Sequence, residues 1–283
     1  GSEMCIRDSY MDEVERVLYN NVLTGVSLSG DKYTYQNPLN TDKPDRWEWH
    51  VCPCCPPMFL KIMAAMPGYI YAYQGDNVYV NLFIGSEVRV PVGKSNSVRL
   101  KQLTSYPWHG AVSIQVNPDK ASTFSMKVRI PGWAQGTENP YDLYQSNLKA
   151  PVKLKVNQED VLLRIVDGYA EINREWKKGD HIELELPMQP RLITANKAVE
   201  NLRGQVALAS GPIIYCFEDA DNPELQTFKL QAQTPLELSH DSNLLNGVNI
   251  IKCQGDIPAK AIPYYAVANR EESHSYKVWI PQK

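Results

Sequence analysis

The sequence predicts a mainly β protein that begins with a short helical region. From residue 69 onward, apolar residues alternate with polar ones in short runs, and Gly, Pro, Asn and Asp separate these runs. Before that point, apolar residues recur at the spacing of a helix. Many short strands with turns of this kind are typical of antiparallel β-sandwiches rather than of a parallel sheet.

Two helices are predicted in the first 68 residues. The first covers residues 10–22, and the acidic residues in its first turn suit the positive end of a helix. The apolar residues on one of its faces are Met11, Val14, Val17, Leu18 and Val22. The second covers residues 55–66 and starts with Pro56 and Pro57, whose missing amide protons are tolerated in a first turn. Gly68 is a suitable residue for its end.

Strand candidates follow the helices in regular order. They lie at about 69–73, 78–82, 86–91, 97–103, 110–116, 123–130, 151–155, 160–164, 168–173 and 181–186. Pro187 and Pro190 interrupt the pattern and mark a boundary, because proline is disfavoured inside a sheet. A second β region extends from about 191 to 270, and residues 276–280 form a last strand.

Three thiols lie within four residues at the start of the second helix. Cys54 and Cys55 come directly before its proline pair, where the positive end of a helix suits an anionic sulfur. Such a cluster is a metal site, a redox centre or a nucleophile, and an inert role also stays open. A structural zinc site would usually show a second Cys/His pair, and His50 and Cys5 do not form one. Cys52 and Cys55 match the redox C-x-x-C pattern, although no βαβ pattern surrounds them.

The composition argues against two classes of partner. The chain has 283 residues, a formal net charge of -3, 43% hydrophobic residues and 22% charged residues. This balance is typical of a soluble globular protein and shows no bias toward nucleic acid or membranes. No apolar run approaches the roughly 20 residues that span a bilayer. We therefore expect neither a nucleic-acid nor a membrane partner.

The other cysteines and the histidines receive no chemical role. Cys216 and Cys253 lie in strand-like runs, so we expect buried inert thiols, and a disulfide between them stays open. His50 precedes Cys54 by four residues, and we interpret it as an exposed loop residue. Glu175 is interpreted as part of the end of a strand and a solvated turn rather than as a catalytic carboxylate. The histidines of the β regions are His109, His181, His240 and His274.

The segment Cys52-Pro53-Cys54-Cys55-Pro56-Pro57 resembles the C-x-C-C-P-P signature of glycoside hydrolase family 127, the β-L-arabinofuranosidase-like enzymes. Other segments agree with the family in order. They are Arg16-Val17-Leu18-Tyr19-Asn20, Tyr33-Thr34-Tyr35-Gln36-Asn37-Pro38-Leu39, Arg129-Ile130-Pro131-Gly132-Trp133, Arg174-Glu175-Trp176, Gly204-Gln205-Val206-Ala207-Leu208-Ala209-Ser210-Gly211-Pro212 and Ala261-Ile262-Pro263-Tyr264-Tyr265-Ala266. The resemblance covers about residues 10–283.

The resemblance implies a retaining glycoside hydrolase with an unusual nucleophile. It assigns Cys54 as nucleophile and zinc ligand, Cys55 as a second zinc ligand, and Tyr35 as a residue that lines the sugar pocket. A glutamate acts as general acid and then as general base. The expected substrate is an arabinose-containing carbohydrate from which terminal β-L-arabinofuranose, or a similar sugar, is released. This scheme departs from the two carboxylates of most glycosidases and relies on a metal-activated thiolate.

The resemblance also implies a domain organisation. Residues 1–9 are expected to be a non-native leader, and residues 10–68 the C-terminal remnant of a truncated helical (α/α)6 barrel. Residues 69–189 form the first of two antiparallel β-sandwiches, which the terminal segment 275–283 joins, and residues 190–274 form the second. The acid/base glutamate and a Glu-x-Cys zinc motif belong to the missing part of the barrel. The zinc site is therefore expected to be incomplete and the isolated chain inactive.

Two details depart from the family pattern, and two other functions stay open. Glu3-Met4-Cys5 imitates the Glu-x-Cys motif at the wrong position, and Met58 stands where the family has asparagine. The β-sandwiches could act as a carbohydrate-binding or scaffolding module, which sugar binding without the first 68 residues would support. Alternatively, the cysteines could form a structural zinc clasp without catalysis.

Overall fold

A computed structural model describes residues 8–139, 142–148, 150–255 and 257–283. The expected leader therefore lies largely outside the described residues, as do Glu3 and Cys5. The chain forms two compact units. The first contains the described residues up to Glu15, those of 64–136 and those of 149–188. The second contains residues 16–63 and the described residues of 137–148 and 189–283.

Helices occupy the N-terminal region, as predicted, and the first one changes its geometry. Helix α1 (Asp8–Val17) continues as a π-helical turn (Leu18–Val22) and a 3₁₀ turn (Leu23–Gly25). The Asn20 side chain donates to the carbonyl of Arg16, the acceptor that the Asn20 main chain would use in an α-helix. Helix α2 (Cys55–Ala65) matches the second prediction closely, and α3 (Pro67–Ile70) adds a turn beyond it. None of the described helices is long and apolar enough to cross a membrane.

The described residues form strands β1 to β21, numbered in chain order. In the first unit they are β2 (Tyr71–Gln74), β3 (Asn77–Val80), β4 (Ser86–Val92), β5 (Asn96–Thr104), β6 (Ala111–Pro118), β7 (Ser122–Arg129), β9 (Lys153–Val156), β10 (Glu159–Asp160), β11 (Ile165–Val166), β12 (Tyr169–Trp176) and β13 (Asp180–Glu185). In the second unit they are β1 (Asn40–Thr41), β8 (Tyr144–Ser146), β14 (Arg191–Ala195), β15 (Gln205–Ser210), β16 (Ile213–Glu218), β17 (Leu236–Asp241), β18 (Val248–Cys253), β19 (Ala259–Pro263), β20 (Tyr276–Lys277) and β21 (Ile280–Pro281).

The first unit contains two sheets. One has the order β10-β9-β13-β6-β5-β4 and the other β11-β12-β7-β3-β2. Side chains on β5 and β6 alternate between buried and exposed, as the period of two predicts. The buried Gln102 of β5 donates to the hydroxyl of Tyr71 on β2, which links the two sheets. The expectation of purely antiparallel sheets is wrong at one place, because β3 and β7 pair in parallel.

The strand predicted at 160–164 is shorter than expected. Strand β10 covers only Glu159–Asp160, although the N–H of Val161 still donates to the carbonyl of Leu154 in β9, and Leu162 lies exposed beyond the end of the hairpin. Asn157 and Gln158 both have a positive φ, which makes a tight hairpin turn between β9 and β10. The hairpin turn leads directly into β10, and the chain leaves the sheet soon after the two residues of that strand.

The second unit is built on one connected ten-stranded sheet. Seven strands follow the order β17-β18-β19-β16-β15-β14-β8, while β20 pairs with β1 and β16, and β21 pairs with β15. The prediction that the terminal segment joins the first sandwich is therefore wrong. The side chain of Asn40 accepts the N–H groups of Val278 and Trp279 and thereby fixes the terminal segment next to β1.

Cys216 and Cys253 are buried and free, as expected for inert thiols. Strand β19 lies between the strands that carry them, so the disulfide that the sequence left open does not form. Burial raises the pKa of Cys253 to about 12 and holds the pKa of Cys216 well above its usual value. Both thiols therefore stay protonated at neutral pH.

A buried ion pair in the second unit joins Glu138 to Arg191, the first residue of β14. The Nε and Nη2 atoms of Arg191 donate to the two carboxylate oxygens of Glu138 at 2.6 and 3.0 Å. The Nη1 atom donates to the carbonyl of Gly211 at 2.8 Å. Both side chains are almost completely buried, so each charge depends on the other for its solvation.

A buried cluster around Arg129 fixes helix α1 within the first unit. The fully buried guanidinium donates to Glu15 at 2.6 Å, to Asp12 at 2.5 Å and to the carbonyl of Asn81. The other oxygen of Asp12 accepts the main-chain N–H of Gly132 at 3.0 Å. Two carboxylates thus share one guanidinium in a site with little access to water.

Unfolding is expected to depend on pH through Asp12. Burial raises the pKa of Asp12 to about 6, with nearby Glu15 adding to the rise and Arg129 opposing it. A raised folded-state pKa gives stability that is fully present below the unfolded-state value of about 4 and is lost as the pH rises through about 6. The difference in free energy of unfolding between the wild type and Asp12→Asn should therefore change between pH 4 and 6 in urea titrations. A difference that stays constant over this range would contradict the assignment.

Candidate active site

The cysteine-rich segment lies at the start of helix α2. Cys55 is the first helical residue, and the carbonyl of Cys54 accepts the N–H of Met58 at 3.3 Å. Cys52 and Cys54 are exposed, Cys55 is half-buried, and none of the three forms a disulfide. The Sγ atoms of Cys52 and Cys54 are 3.8 Å apart, and those of Cys54 and Cys55 are 3.9 Å apart. The sulfur of Cys54 thus lies next to both of the other thiols.

The rings of Tyr35, Trp47 and His50 stack on one another, and His50 precedes Cys52 by two residues. The ring centroids of Trp47 and His50 are 4.5 Å apart, and those of Tyr35 and His50 are 4.7 Å apart, with nearly parallel planes. The Nδ1 atom of His50 accepts the main-chain N–H of Cys52 at 3.1 Å. The neutral ring therefore carries its proton on Nε2. His50 lies in a loop, as interpreted, but it is half-buried rather than exposed, because the rings of Trp47 and Tyr35 cover part of it.

The main chain explains why these rings come together. Tyr33 and Trp47 exchange two main-chain hydrogen bonds of 2.8 and 2.9 Å, which closes the loop between them. Tyr35 follows Tyr33 by two residues, and His50 follows Trp47 by three. Neither Trp47 nor Tyr33 was assigned a role from the sequence, because their main-chain pairing joins residues that are distant along the chain.

Electrostatic effects indicate that the tyrosines lie near the thiols. The negative charge of ionised Cys52 and Cys54 raises the pKa of the Tyr35 hydroxyl, and desolvation adds to this rise. Desolvation is the main cause of the raised pKa of Tyr33, with Cys55 and Cys54 contributing. Tyr35 keeps 44% of its surface exposed, so its ring is accessible to a ligand.

The thiols fit zinc in kind and in spacing, but they do not complete a site. Zinc bound by thiolates at about 2.3 Å in a tetrahedron separates the sulfurs by about 3.8 Å. Cys54 and Cys55 are close to this distance, as are Cys52 and Cys54. Within the described part of the chain, no group of three or more His, Cys, Asp or Glu side chains is placed to hold a metal ion. Cys54 and Cys55 can therefore supply part of a ligand set.

Three family profiles match the chain in consecutive order. The β-L-arabinofuranosidase GH127 catalytic domain matches residues 4–68, and the GH127 middle domain matches residues 77–188. The glycoside hydrolase family 127 C-terminal domain matches residues 190–281. The cysteine-rich segment, Tyr35 and His50 all lie in the part that matches the catalytic domain.

Proteins of this family are also similar over nearly the whole chain. A non-reducing end β-L-arabinofuranosidase from Bifidobacterium longum is 29% identical over an alignment of 315 positions. The alignment covers 94% of this chain and 44% of that protein. A solved GH127 β-arabinofuranosidase has a TM-score of 0.90 and 34% identity, with 98% of this chain and 46% of that chain covered. The GH127 β-L-arabinofuranosidase from Geobacillus stearothermophilus T6 has a TM-score of 0.88, 34% identity and coverage of 98% and 47%.

This chain thus spans somewhat less than half the length of these relatives. The three profiles together account for most of its residues, and they follow the order of the family. The helical N-terminal part and the β regions agree with this assignment. The chain therefore belongs to glycoside hydrolase family 127, the β-L-arabinofuranosidase family.

Proposed function

We propose that this chain carries the nucleophile side of a retaining glycoside hydrolase site that releases terminal β-L-arabinofuranose. The observation that carries the proposal is the exposed thiol of Cys54, 3.9 Å from the thiol of Cys55 at the start of helix α2. A nucleophile must reach the substrate, and a neighbouring thiol of this kind can share a metal ion with it. The similar proteins named above are β-L-arabinofuranosidases or β-arabinofuranosidases, which supports the substrate class.

The reaction divides into two displacements at the anomeric carbon. The Cys54 sulfur attacks this carbon and forms a thioglycosyl bond, while the bond to the leaving oxygen breaks and that oxygen takes a proton from a general acid. Water then attacks the same carbon, gives a proton to the base and releases the Cys54 thiolate. Two inversions give net retention. Bound zinc would supply positive charge that keeps the thiols of Cys54 and Cys55 ionised.

The stacked rings of Tyr35, Trp47 and His50 support a role for this segment in holding the sugar. We assign Tyr35 to the wall of the sugar pocket, since its ring is accessible and its hydroxyl lies within the electrostatic influence of Cys54. The ring of His50 stacks on Tyr35 and restricts its position. Stacked rings of this kind offer a flat apolar face with polar edges, which suits the C–H face and the hydroxyls of a furanose.

The isolated chain is expected to be inactive. The resemblance places the acid/base glutamate in the upstream part of the catalytic domain, and a general acid contributes a factor of about 10² to 10⁴. The test incubates the purified chain with an aryl β-L-arabinofuranoside and measures its zinc content by elemental mass spectrometry. We expect no release of arabinose and well below one zinc per chain, with a full-length relative as the positive control. Arabinose release by this chain would contradict the proposal of inactivity.

A further inference from the structure

Cys52 has no task in the proposed reaction, yet its sulfur lies 3.8 Å from that of the nucleophile. Both thiols are exposed and free, so a small oxidant in solution can reach them. We propose that Cys52 is the resolving thiol of Cys54, and that a hydroperoxide converts the two into a disulfide that blocks the nucleophile. The regulatory meaning of this modification rests on the proposed function of Cys54.

The geometry favours Cys52 over Cys55 as the partner of Cys54. A disulfide between adjacent cysteines closes an eight-membered ring, which forces the peptide bond inside it away from planar trans geometry. A disulfide between Cys52 and Cys54 closes an eleven-membered ring that can contain two trans peptide bonds. Cys55 is in addition the first residue of helix α2, so its main chain is constrained by the helix. The similar sulfur distances of 3.8 and 3.9 Å therefore do not represent equal tendencies to form a bond.

The main chain on both sides of the pair is held in place. The N–H of Cys52 donates to Nδ1 of His50, and the ring of His50 is fixed by stacking on Trp47 and Tyr35. At the other side, the carbonyl of Cys54 accepts the N–H of Met58 in the first turn of α2. A disulfide requires a sulfur separation of about 2.05 Å, so the two sulfurs must approach by less than 2 Å.

The chemistry balances with a hydroperoxide as the oxidant. The thiolate of Cys54 attacks one oxygen of hydrogen peroxide and the O–O bond breaks. The attacked oxygen stays on Cys54 as a sulfenic acid, and the second oxygen leaves as hydroxide. The sulfur of Cys52 then attacks the sulfur of Cys54, and the hydroxyl group leaves as water with the proton of the Cys52 thiol. The two thiols lose two electrons in total, and one hydrogen peroxide is reduced to two waters.

A resolving thiol also protects the nucleophile from irreversible damage. Without a neighbouring thiol, sulfenic acid reacts with further peroxide to sulfinic acid, which ordinary thiols do not reduce. The disulfide, in contrast, returns to two thiols when another thiol exchanges with it. Cys52 would therefore make oxidation of the proposed nucleophile reversible.

The experiment treats the reduced, metal-free chain with hydrogen peroxide, alkylates the remaining thiols and maps the cysteines by peptide mass spectrometry. We expect a loss of about 2 Da that maps to Cys52 and Cys54, with Cys55 alkylated. The variant Cys55→Ser should keep this bond. The variant Cys52→Ser should instead gain about 32 Da on Cys54, which is the mass of the two oxygen atoms added when a thiol becomes a sulfinic acid. Cys52 is exposed and Cys55 is half-buried, so neither substitution removes a side chain from the core of the fold.

Three results would overturn the proposal. They are a bond between Cys54 and Cys55 in the wild type, a bond from Cys54 to Cys5, and sulfinic acid formation at Cys54 that is as fast in the wild type as in Cys52→Ser. The readout is a mass and needs neither zinc nor activity. If Cys54 is not the nucleophile, the disulfide still forms while activity measurements on a complete enzyme fail to depend on Cys54. The failure of the modification and the failure of the proposed function are thus distinguishable.

Discussion

Replacing Arg129 with methionine is expected to lower the free energy of unfolding of the first unit by about 3–5 kcal/mol. The substitution leaves Glu15 and Asp12 in a buried site without the guanidinium that neutralises them. It also removes the donor to the carbonyl of Asn81. Methionine fills most of the apolar volume of the arginine stem, so the loss reflects the unpaired charges rather than a large cavity. Urea unfolding followed by circular dichroism measures the effect.

A matched arginine on the same unit serves as the control. Arg89 also contacts a carboxylate, Asp119, but both side chains are largely exposed. Arg89→Met is therefore expected to change the free energy of unfolding by at most about 0.5 kcal/mol. The double variant Arg129→Met with Glu15→Leu should be more stable than Arg129→Met alone, because it removes the more deeply buried of the two uncompensated carboxylates. If the double variant is equally unstable or worse, charge burial is not the cause of the loss.

Replacing Cys54 with alanine is expected to abolish glycosidase activity when this chain is part of a complete enzyme. A suitable host is the Geobacillus stearothermophilus relative, whose corresponding C-terminal part can be exchanged for this chain. Loss of the covalent nucleophile should lower kcat by about 10³-fold or more, since no other catalytic group can form the covalent bond in place of the missing thiolate. The rate of aryl β-L-arabinofuranoside hydrolysis measures this effect, together with the zinc content of both proteins.

The control for this prediction is Glu175→Gln, in the same chimera. Glu175 lies at the exposed end of β12, where it contacts Lys177 at 3.3 Å. We expect an unchanged rate within about twofold, because an exposed surface pair contributes little. A Cys54→Ala chimera that keeps more than a tenth of the activity would exclude Cys54 as the nucleophile. An equal loss in both variants would point to a general defect of the chimera.

Local patterns predicted the elements that have one buried face. The central residues of β5 and β6 alternate between buried and more exposed positions, and the apolar residues of α1 recur at helical spacing, so the period identifies these elements. The pairing partners could not be read in this way. The parallel pairing of β3 with β7 and the position of the terminal segment beside β1 depend on contacts between distant residues. The period of a strand shows which face is buried but not which strand lies next to it.

The candidate site, too, could be predicted from the sequence only in part. The cysteine-rich segment was visible because three thiols lie close together in the sequence itself. The stacking of His50 on Trp47 and Tyr35 was not visible, because main-chain hydrogen bonds between Tyr33 and Trp47 bring these segments together. Residues of this chain that would complete the proposed zinc site of Cys54 and Cys55 could not be identified from the sequence either, since a complete ligand set combines residues that are distant in sequence.

The ion pair of Glu138 and Arg191 limits how this protein can be divided for separate study. The C-terminal family profile begins at residue 190, whereas Glu138 and strand β8 belong to the same unit and precede that boundary by many residues. A piece that starts at the profile boundary would keep the buried Arg191 and lose its carboxylate partner, and it would also expose the edge of β14 that β8 covers. Such a piece matches a family profile but lacks part of its structural unit. A polypeptide for biophysical work on the C-terminal region should therefore include Glu138 and β8 as well as the profile itself.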